Sequence, residues 1–421
     1  MNKKIQWAGM AVLAAGLFLF SGCGAAGSAD KGGENVSVTM KPGALRQVVA
    51  ADNAHGRAIL WQMDREEAAS VEYRKKGGAI ESSKASAKLL KGDQGEPDRW
   101  IYEARLEGLE GGASYEYRTR SGNAVSEWHT LTTDSSGPFT ALIFPDSQSL
   151  EYNVWKKTAD GGRKQAPDAS FFINMGDLTD NGQDEHQWQA WLAAVEPMIT
   201  DIPVAPIMGN HEAYSLDWKM AEPERYLAHF ALPLNGDPAL PEYFYSFDWG
   251  DVHFSILNTQ MTELADFHPD LLSRQQAWLK KDLEGTKKKW KVVLMHKDPL
   301  QYRIASRPER KEGFSPEGEA FMPIFDEMGV DVVLSAHLHT YRNRGHIYDF
   351  KRDAKGPLYI ITGVAGDVRY PNLWTDHALD TYVAPQPETD NFMTLTASED
   401  SLIFRSYLPD GTKLDEAEVK K

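Results

Sequence analysis

Hydrophobic and polar positions follow two rhythms along this chain, and the change falls near residue 135. In the first block they alternate. Residues 58–63, 70–74, 100–106, 114–118 and 128–131 set apolar side chains against polar ones with a period close to two. That period places the apolar side chains on one face of a strand. Gly-rich breaks at Gly77-Gly78, Gly111-Gly112 and Ser121-Gly122-Asn123 mark turns between short antiparallel strands. Residues 36–134 therefore read as a β-sandwich of about a hundred residues. Residues 75–98 are polar and read as a long surface excursion, and residues 134–138 (DSSGP) as a short linker.

From 138 to 421 the apolar positions come in short continuous runs, most of which stop at a polar residue. Residues 139–144 precede Asp146, 171–175 precede Gly176-Asp177, and 204–208 precede Gly209-Asn210. Residues 253–257 precede Asn258, 292–295 precede His296, 330–334 precede His337, and 358–361 precede Thr362-Gly363. Runs of this length fit strands buried on both faces. Helical periodicity separates several of them, as at 185–199, with Trp188, Trp191, Leu192 and Val195 on one face, and at 274–283. The pattern is that of a layered α/β domain, in which ligands gather at the carboxyl ends of strands.

Composition narrows the class. The chain has 421 residues, a formal net charge of −16 and 42% hydrophobic residues. That is a globular profile, with length for one large domain and a smaller one. The acidic balance argues against nucleic acid as a partner, because phosphate backbones are bound by clustered Lys and Arg. The single cysteine, Cys23, excludes an intramolecular disulfide framework and a Cys-rich zinc module. It closes a segment with Lys3 and Lys4 at its head, an apolar run over 8–20, and Phe20-Ser21-Gly22-Cys23. Residues 1–23 resemble a bacterial lipoprotein signal, with Phe20 where Leu is usual; the plainer alternative is a secretory signal with an incidental cysteine. The resemblance implies lipid on Cys23 and an extracytoplasmic protein anchored to a bacterial membrane. Residues 24–35, rich in Gly, Ala and Ser, read as a flexible tether.

One His or Asp after a strand is usually a turn or cap residue. Here the order matters. Asp146-Ser147-Gln148 comes first, then Gly176-Asp177-Leu178-Thr179-Asp180, Gly209-Asn210-His211-Glu212, His296, and His337-Leu338-His339. Carboxylate, amide and imidazole together suit divalent first-row metals. Two His at i and i+2 reach one site if the backbone bends between them. In this order the motifs resemble the calcineurin-like metallophosphoesterase superfamily, whose pattern is D-x-H, G-D-x-x-D, G-N-H-E/D, H, G-H-x-H. Residues 247–254 (FDWGDVHF) before Leu257-Asn258, and Gln276-x-Trp278-Leu279, agree with it. The preceding block resembles the fibronectin type III-like N-terminal domain of purple acid phosphatases, through residues 59–61 and 71–73, Leu106-x-Gly108-Leu109 and Tyr115-x-Tyr117-Arg118.

The resemblance implies an αββα metallophosphoesterase sandwich over 138–421, preceded by an all-β immunoglobulin/fibronectin III-like domain over 36–134. It implies two divalent metal ions (Fe, Mn or Zn) with Asp177 between them. Asp146, Gln148 and His339 would complete one site, and Asn210, His296 and His337 the other. A hydroxide held by the metals would attack phosphorus in line, and His211 would contact the phosphate and protonate the leaving oxygen. Asp180 or Glu212 would orient His211. The substrate would be a small phosphate ester, a monoester before a diester. The alternatives are a phosphodiesterase or nucleotidase, or a surface binding protein that has lost activity.

The chain departs from these families in three places. Gln148 stands where the first motif has His. Asp180 stands where purple acid phosphatases carry a Tyr ligand, so the iron–phenolate chromophore is not expected. Ala336 stands where the last motif has Gly, which costs little if its φ is negative. Tyr302, Arg303 and Arg307 offer anion contacts or a solvated loop. Trp155, Trp218, Trp249 and Trp374 offer a stacking wall or core.

Overall fold

The computed structural model describes residues 42–421; the signal-like segment with Cys23 and the tether at 24–35 lie outside them. Residues 42–421 lie in one compact unit. Its first sheet runs, in spatial order, through Lys413–Lys420, Ser401–Tyr407, Phe392–Ala397, Phe139–Phe144, Phe171–Asn174, Val204–Pro206, Gly43–Val48, Arg57–Met63, Arg99–Leu106 and Ser86–Leu90. A second runs through Tyr245–Trp249, Val252–Ile256, Trp290–Leu294, Val332–Ser335, Leu358–Thr362, Tyr341–Tyr348 and Lys351–Arg352. These two sheets pack face to face. Phe171 of the first lies 4.7 Å from Trp249 and 5.7 Å from Phe254 of the second, ring centre to ring centre.

Helices cover both outer faces. Asn153–Gln165 and Glu185–Ile199 bury Trp155, Trp188 and Trp191 against the first sheet. Leu271–Gly285 and Pro316–Met328 bury Leu279, Leu283, Phe321 and Phe325 against Val293, Val333 and Ile361 of the second. The layers are helix, sheet, sheet, helix, as expected. The helix ends follow their local chemistry. Asp184 accepts from the amides of His186 and Gln187 before Glu185–Ile199. Gly329, with φ 63°, closes Pro316–Met328. Among the described residues no helix is long and apolar enough to cross a membrane.

The β-block is a sandwich that shares its sheet with the larger block. Ala69–Lys75, Glu81–Lys84, Ser114–Ser121, Ala124–Val125 and His129–Thr132 form the facing sheet. Every residue of Arg57–Met63 is buried. Ile59, Trp61 and Met63 enter the sandwich core, while Ala58 and Leu60 enter the main core on the other face. Val48 pairs in parallel with Val204, which makes the first sheet continuous across the two blocks. The stretch 75–98 differs from its reading as an excursion, because it holds the strands Glu81–Lys84 and Ser86–Leu90. Each is a sheet edge with one side in water, so neither carries a clean apolar pattern.

Candidate metal centre

Strand register brings the polar residues together. In the first sheet Phe144 is level with Asn174, and Asn174 with Pro206, along parallel strands. In the second, Leu294 is level with Leu334. The carboxyl ends therefore line up, and the residues just past them share one place. Oxygen and nitrogen ligand atoms of Asp177, His296 and His337 lie within 4.8 Å of one another, as do those of Asp146, Asp177 and His339. Asp177 belongs to both groups. Asn210 joins the first, its Oδ1 3.2 Å from His296 Nε2, which is itself 3.1 Å from Asp177 Oδ2.

The backbone at these ligands is held in costly conformations. Asp177, His337 and His339 all have positive φ, at 47°, 69° and 50°. Left-handed geometry disfavours a residue with Cβ by roughly 1–2 kcal/mol, so three such residues in one site mark imposed geometry. The bend at His337 and His339 lets both rings reach the cluster. Ala336 has no such strain, so its methyl is accommodated. Gly209 is required for space, since a Cβ there would sit 2.1 Å from Asp177 Oδ1.

Backbone carbonyls set the imidazole tautomers. His296 Nδ1 lies 2.9 Å from the Met175 carbonyl and His339 Nδ1 lies 2.8 Å from that of Val368. A carbonyl only accepts, so each Nδ1 carries a hydrogen and each Nε2 is the atom turned toward the acidic residues of the cluster. His211 Nδ1 is bound in the same way to the Asp180 carbonyl at 2.5 Å. Of the two residues offered for orienting His211, Asp180 makes the contact, and by its backbone; its carboxylate is 3.9 Å from the ring. Glu212 is fully buried and does something else. It accepts from the amides of Gly209, Asp177 and Leu178 at 2.7, 3.0 and 2.9 Å, tying the two ligand-bearing turns together.

Burial is the largest influence on the titration of every ionisable group in the pocket. Burial, with Asp177 adding to it, lifts Asp146 to about 7, though His296 opposes this. Burial and the Asp177 charge lift Glu212 to about 7. Burial would lift Asp177 too, but His296 and His211 hold it far below the carboxylate range. Burial opposes the charge on His296, yet Asp177 overcomes it and lifts the ring to about 9. Burial keeps His337 and His339 neutral, the latter pushed down to about 4. Burial also works against charge on His211, but Asp177 and the Asp180 carbonyl outweigh it and raise the ring.

The donor set fits divalent cations. Both amide atoms of Gln148 and Nδ1 of His337 are buried without a hydrogen-bond partner. Buried polar atoms are almost always satisfied, so the His337 nitrogen at the cluster and the Gln148 amide oxygen are free to take a ligand. Of the loop residues read as anion contacts, Tyr302 is fully buried and does not face substrate. Its hydroxyl donates to Asp380 at 2.6 Å, beneath Arg342 and Arg344. Trp155 and Trp249 are core, whereas Trp218 is 55% exposed. The alternating pattern had no means of marking the Met175 and Val368 carbonyls, because any residue type supplies one.

Comparison with known proteins agrees with this geometry. Residues 139–341 match the calcineurin-like phosphoesterase family and residues 42–133 the purple acid phosphatase N-terminal domain. Purple acid phosphatase 15 of Arabidopsis thaliana is 29% identical over 320 residues, 69% of this chain and 57% of that protein. Purple acid phosphatase 23 of the same plant is 28% identical, over 64% of this chain and 63% of its own length. The chain thus spans less than two thirds of these relatives. Acid phosphatase type 7 of Mus musculus is 24% identical, over 66% of this chain and 68% of its own length. In fold, the chain is similar to purple acid phosphatase PPD1 from yellow lupin (Lupinus luteus) seeds, with a TM-score of 0.75 and 18% identity, over 90% of this chain and 74% of that one.

Proposed function

We propose, from the match of residues 139–341 to the calcineurin-like phosphoesterase family and of residues 42–133 to the purple acid phosphatase N-terminal domain, that this chain hydrolyses phosphate monoesters with two divalent cations. The observation that carries the proposal is the pair of ligand groups sharing Asp177. Asp146, Asp177 and His339, with the Gln148 amide oxygen, would hold one cation. Asp177, Asn210, His296 and His337 would hold the other. When bound, the two cations supply Lewis-acid charge neutralisation and a nucleophile at neutral pH.

The chain's own groups do the rest. His211 presents Nε2, 4.0 Å from Asp177 Oδ2, while its other nitrogen is engaged by the Asp180 carbonyl. That places an orientable proton donor beside the cluster, suited to the leaving oxygen. Glu212 holds the turns of Asp177 and Asn210 in register. The acid phosphatase names of the relatives support a monoester over a diester. The cations are Fe(II), Mn(II) or Zn(II). The lipoprotein-like pattern supports a second proposal: the chain is extracytoplasmic and anchored by lipid on Cys23.

One preparation tests both. The full chain is taken from membranes in detergent, loaded in turn with Mn(II), Zn(II) and Fe(II), and assayed on p-nitrophenyl phosphate and bis-p-nitrophenyl phosphate. Faster monoester turnover is expected, falling to background in Asp177→Asn together with the bound metal. Equal turnover in Asp177→Asn would sink the assignment. The parent is expected in the detergent phase of a Triton X-114 partition and Cys23→Ser in the aqueous phase; identical partitioning removes the anchor.

A further inference from the structure

Trp218 is a large apolar side chain left in solvent beside the cluster, with φ 60°, in a region disfavoured for any residue with Cβ. The strain is imposed by construction. Tyr214 pairs with Met220, and the Ala221 amide donates to the Ala213 carbonyl at 2.9 Å, so residues 213–221 form a tight hairpin. At its tip the Trp218 amide donates to the Ser215 carbonyl at 2.8 Å, and the Ser215 hydroxyl donates to Asp217 at 2.6 Å. Asn181 Nδ2 donates to the Ser215 carbonyl at 2.9 Å and pins the hairpin to the loop that follows Asp177. A solvent-exposed tryptophan held this firmly is not a loop that failed to pack.

The rings stand against the proton donor. The Trp218 ring is 6.0 Å from that of His211, at 87°, and the Tyr214 ring is 5.8 Å from it, at 90°. Trp218 and Tyr214 are 6.1 Å apart. Leu216 and Met220 extend the exposed apolar surface along the same hairpin. A leaving group that takes its proton from His211 emerges beside these rings. Aromatic faces bind other flat rings by stacking and offer much less to a small polyol.

We propose that Trp218 and Tyr214 form a stacking platform for the leaving group, so that the enzyme selects phosphate monoesters whose leaving group carries a planar aromatic ring. This rests on the phosphatase reading above, with His211 at the leaving oxygen. The test uses the full metal-loaded chain and compares kcat/KM for phenyl phosphate with that for glycerol 2-phosphate. The ratio in each variant is divided by the parent's ratio, which cancels the intrinsic reactivity of the two esters. Stacking on one aromatic side chain corresponds to about 5- to 160-fold, so the ratio is expected to fall by a factor in that range in Trp218→Ala. Trp218→Phe should keep most of it. An unchanged ratio in Trp218→Ala overturns the platform. So does an equal fall in Trp218→Ala and Trp218→Phe, which would mean only a displaced His211.

Calorimetric binding of phenylphosphonate and methylphosphonate reads the same subsite without turnover. Tighter binding of phenylphosphonate to the parent, lost in Trp218→Ala, supports the platform even if neither ester is hydrolysed, and that outcome would fail the phosphatase reading alone. Phenylphosphonate bound no better than methylphosphonate by the parent overturns the platform whatever the turnover.

Discussion

His253 lies between two carboxylates, with Nδ1 2.7 Å from Asp248 and Nε2 2.9 Å from Asp282. Burial opposes its charge, but the two hydrogen-bonded acids win and lift the ring to about 9. An unfolded His titrates near 6.5. Folding therefore gains the imidazolium's stabilisation in full below about pH 6.5, and loses it as pH rises through about 9. The span corresponds to roughly 3 kcal/mol. His253→Gln is expected to lower unfolding free energy by about that much at pH 6 and by about 1 kcal/mol or less at pH 10. Denaturant titrations at the two pH values check it, and a gap that widens with pH would contradict it. Glu212 shows the other side of residue-scale reading. Its place in a motif was legible, but its task was not, because two of the three amides that converge on its carboxylate, those of Asp177 and Leu178, lie 35 and 34 residues away in the chain.

At the scale of elements, function sits where strands end. The candidate ligands Asp146, Asp177, Asn210, His296, His337 and His339 each follow a strand end by two to four residues, so the apolar runs pointed to their place. What the runs could not give is the shape of the turns. Gly209 shows how tight they are. A Cβ at 209 would meet the Asp177 side chain and amide at 2.1 and 2.2 Å. Gly209→Ala is expected to displace Asp177, costing about 1–3 kcal/mol of stability and, on the proposed function, lowering the metal bound. Metal content by mass spectrometry and a thermal melt would check this. Full metal occupancy in that variant would show that the turn yields more than its packing implies. Gly329→Ala is a useful contrast, because nothing lies within 4 Å of its Cβ position and only its positive φ is lost. The two edge strands at 81–90 escaped a periodicity reading because their polar residues face water on an edge, where alternation carries no penalty.

Over the whole molecule, the two textures of the chain are joined more closely than a linker would require. Arg225 reaches Asp93 at 2.6 Å and Glu185 at 2.7 Å, one in each block. Arg105 donates to the Leu232 carbonyl at 2.9 Å, and the Gly250 amide donates to Asp134 at 2.9 Å. Leu60, Ile101 and Val48 contribute to the same core as Phe144 and Trp191. Removing one block would expose apolar surface worth roughly 1.5–3 kcal/mol per large side chain. The described residues are therefore expected to unfold in one calorimetric transition, with the calorimetric enthalpy equal to the van't Hoff value. Two resolved transitions would show that the shared sheet is not energetically shared.

The sequence by itself determined most element types, the layered order and which residues are candidates for chemistry, because strand and helix periods and ligand chemistry are properties of neighbouring positions. The family resemblance already implied that Asp177 is shared, and the tertiary structure brings it within reach of both ligand groups; only the tertiary structure decided that Glu212 binds turns rather than His211. It alone placed Tyr302 inside, left Trp218 outside, and ran one sheet through both blocks. Each of these depends on distances between residues far apart in the chain. Such distances are set by register and by the packing of whole layers, which no local pattern encodes.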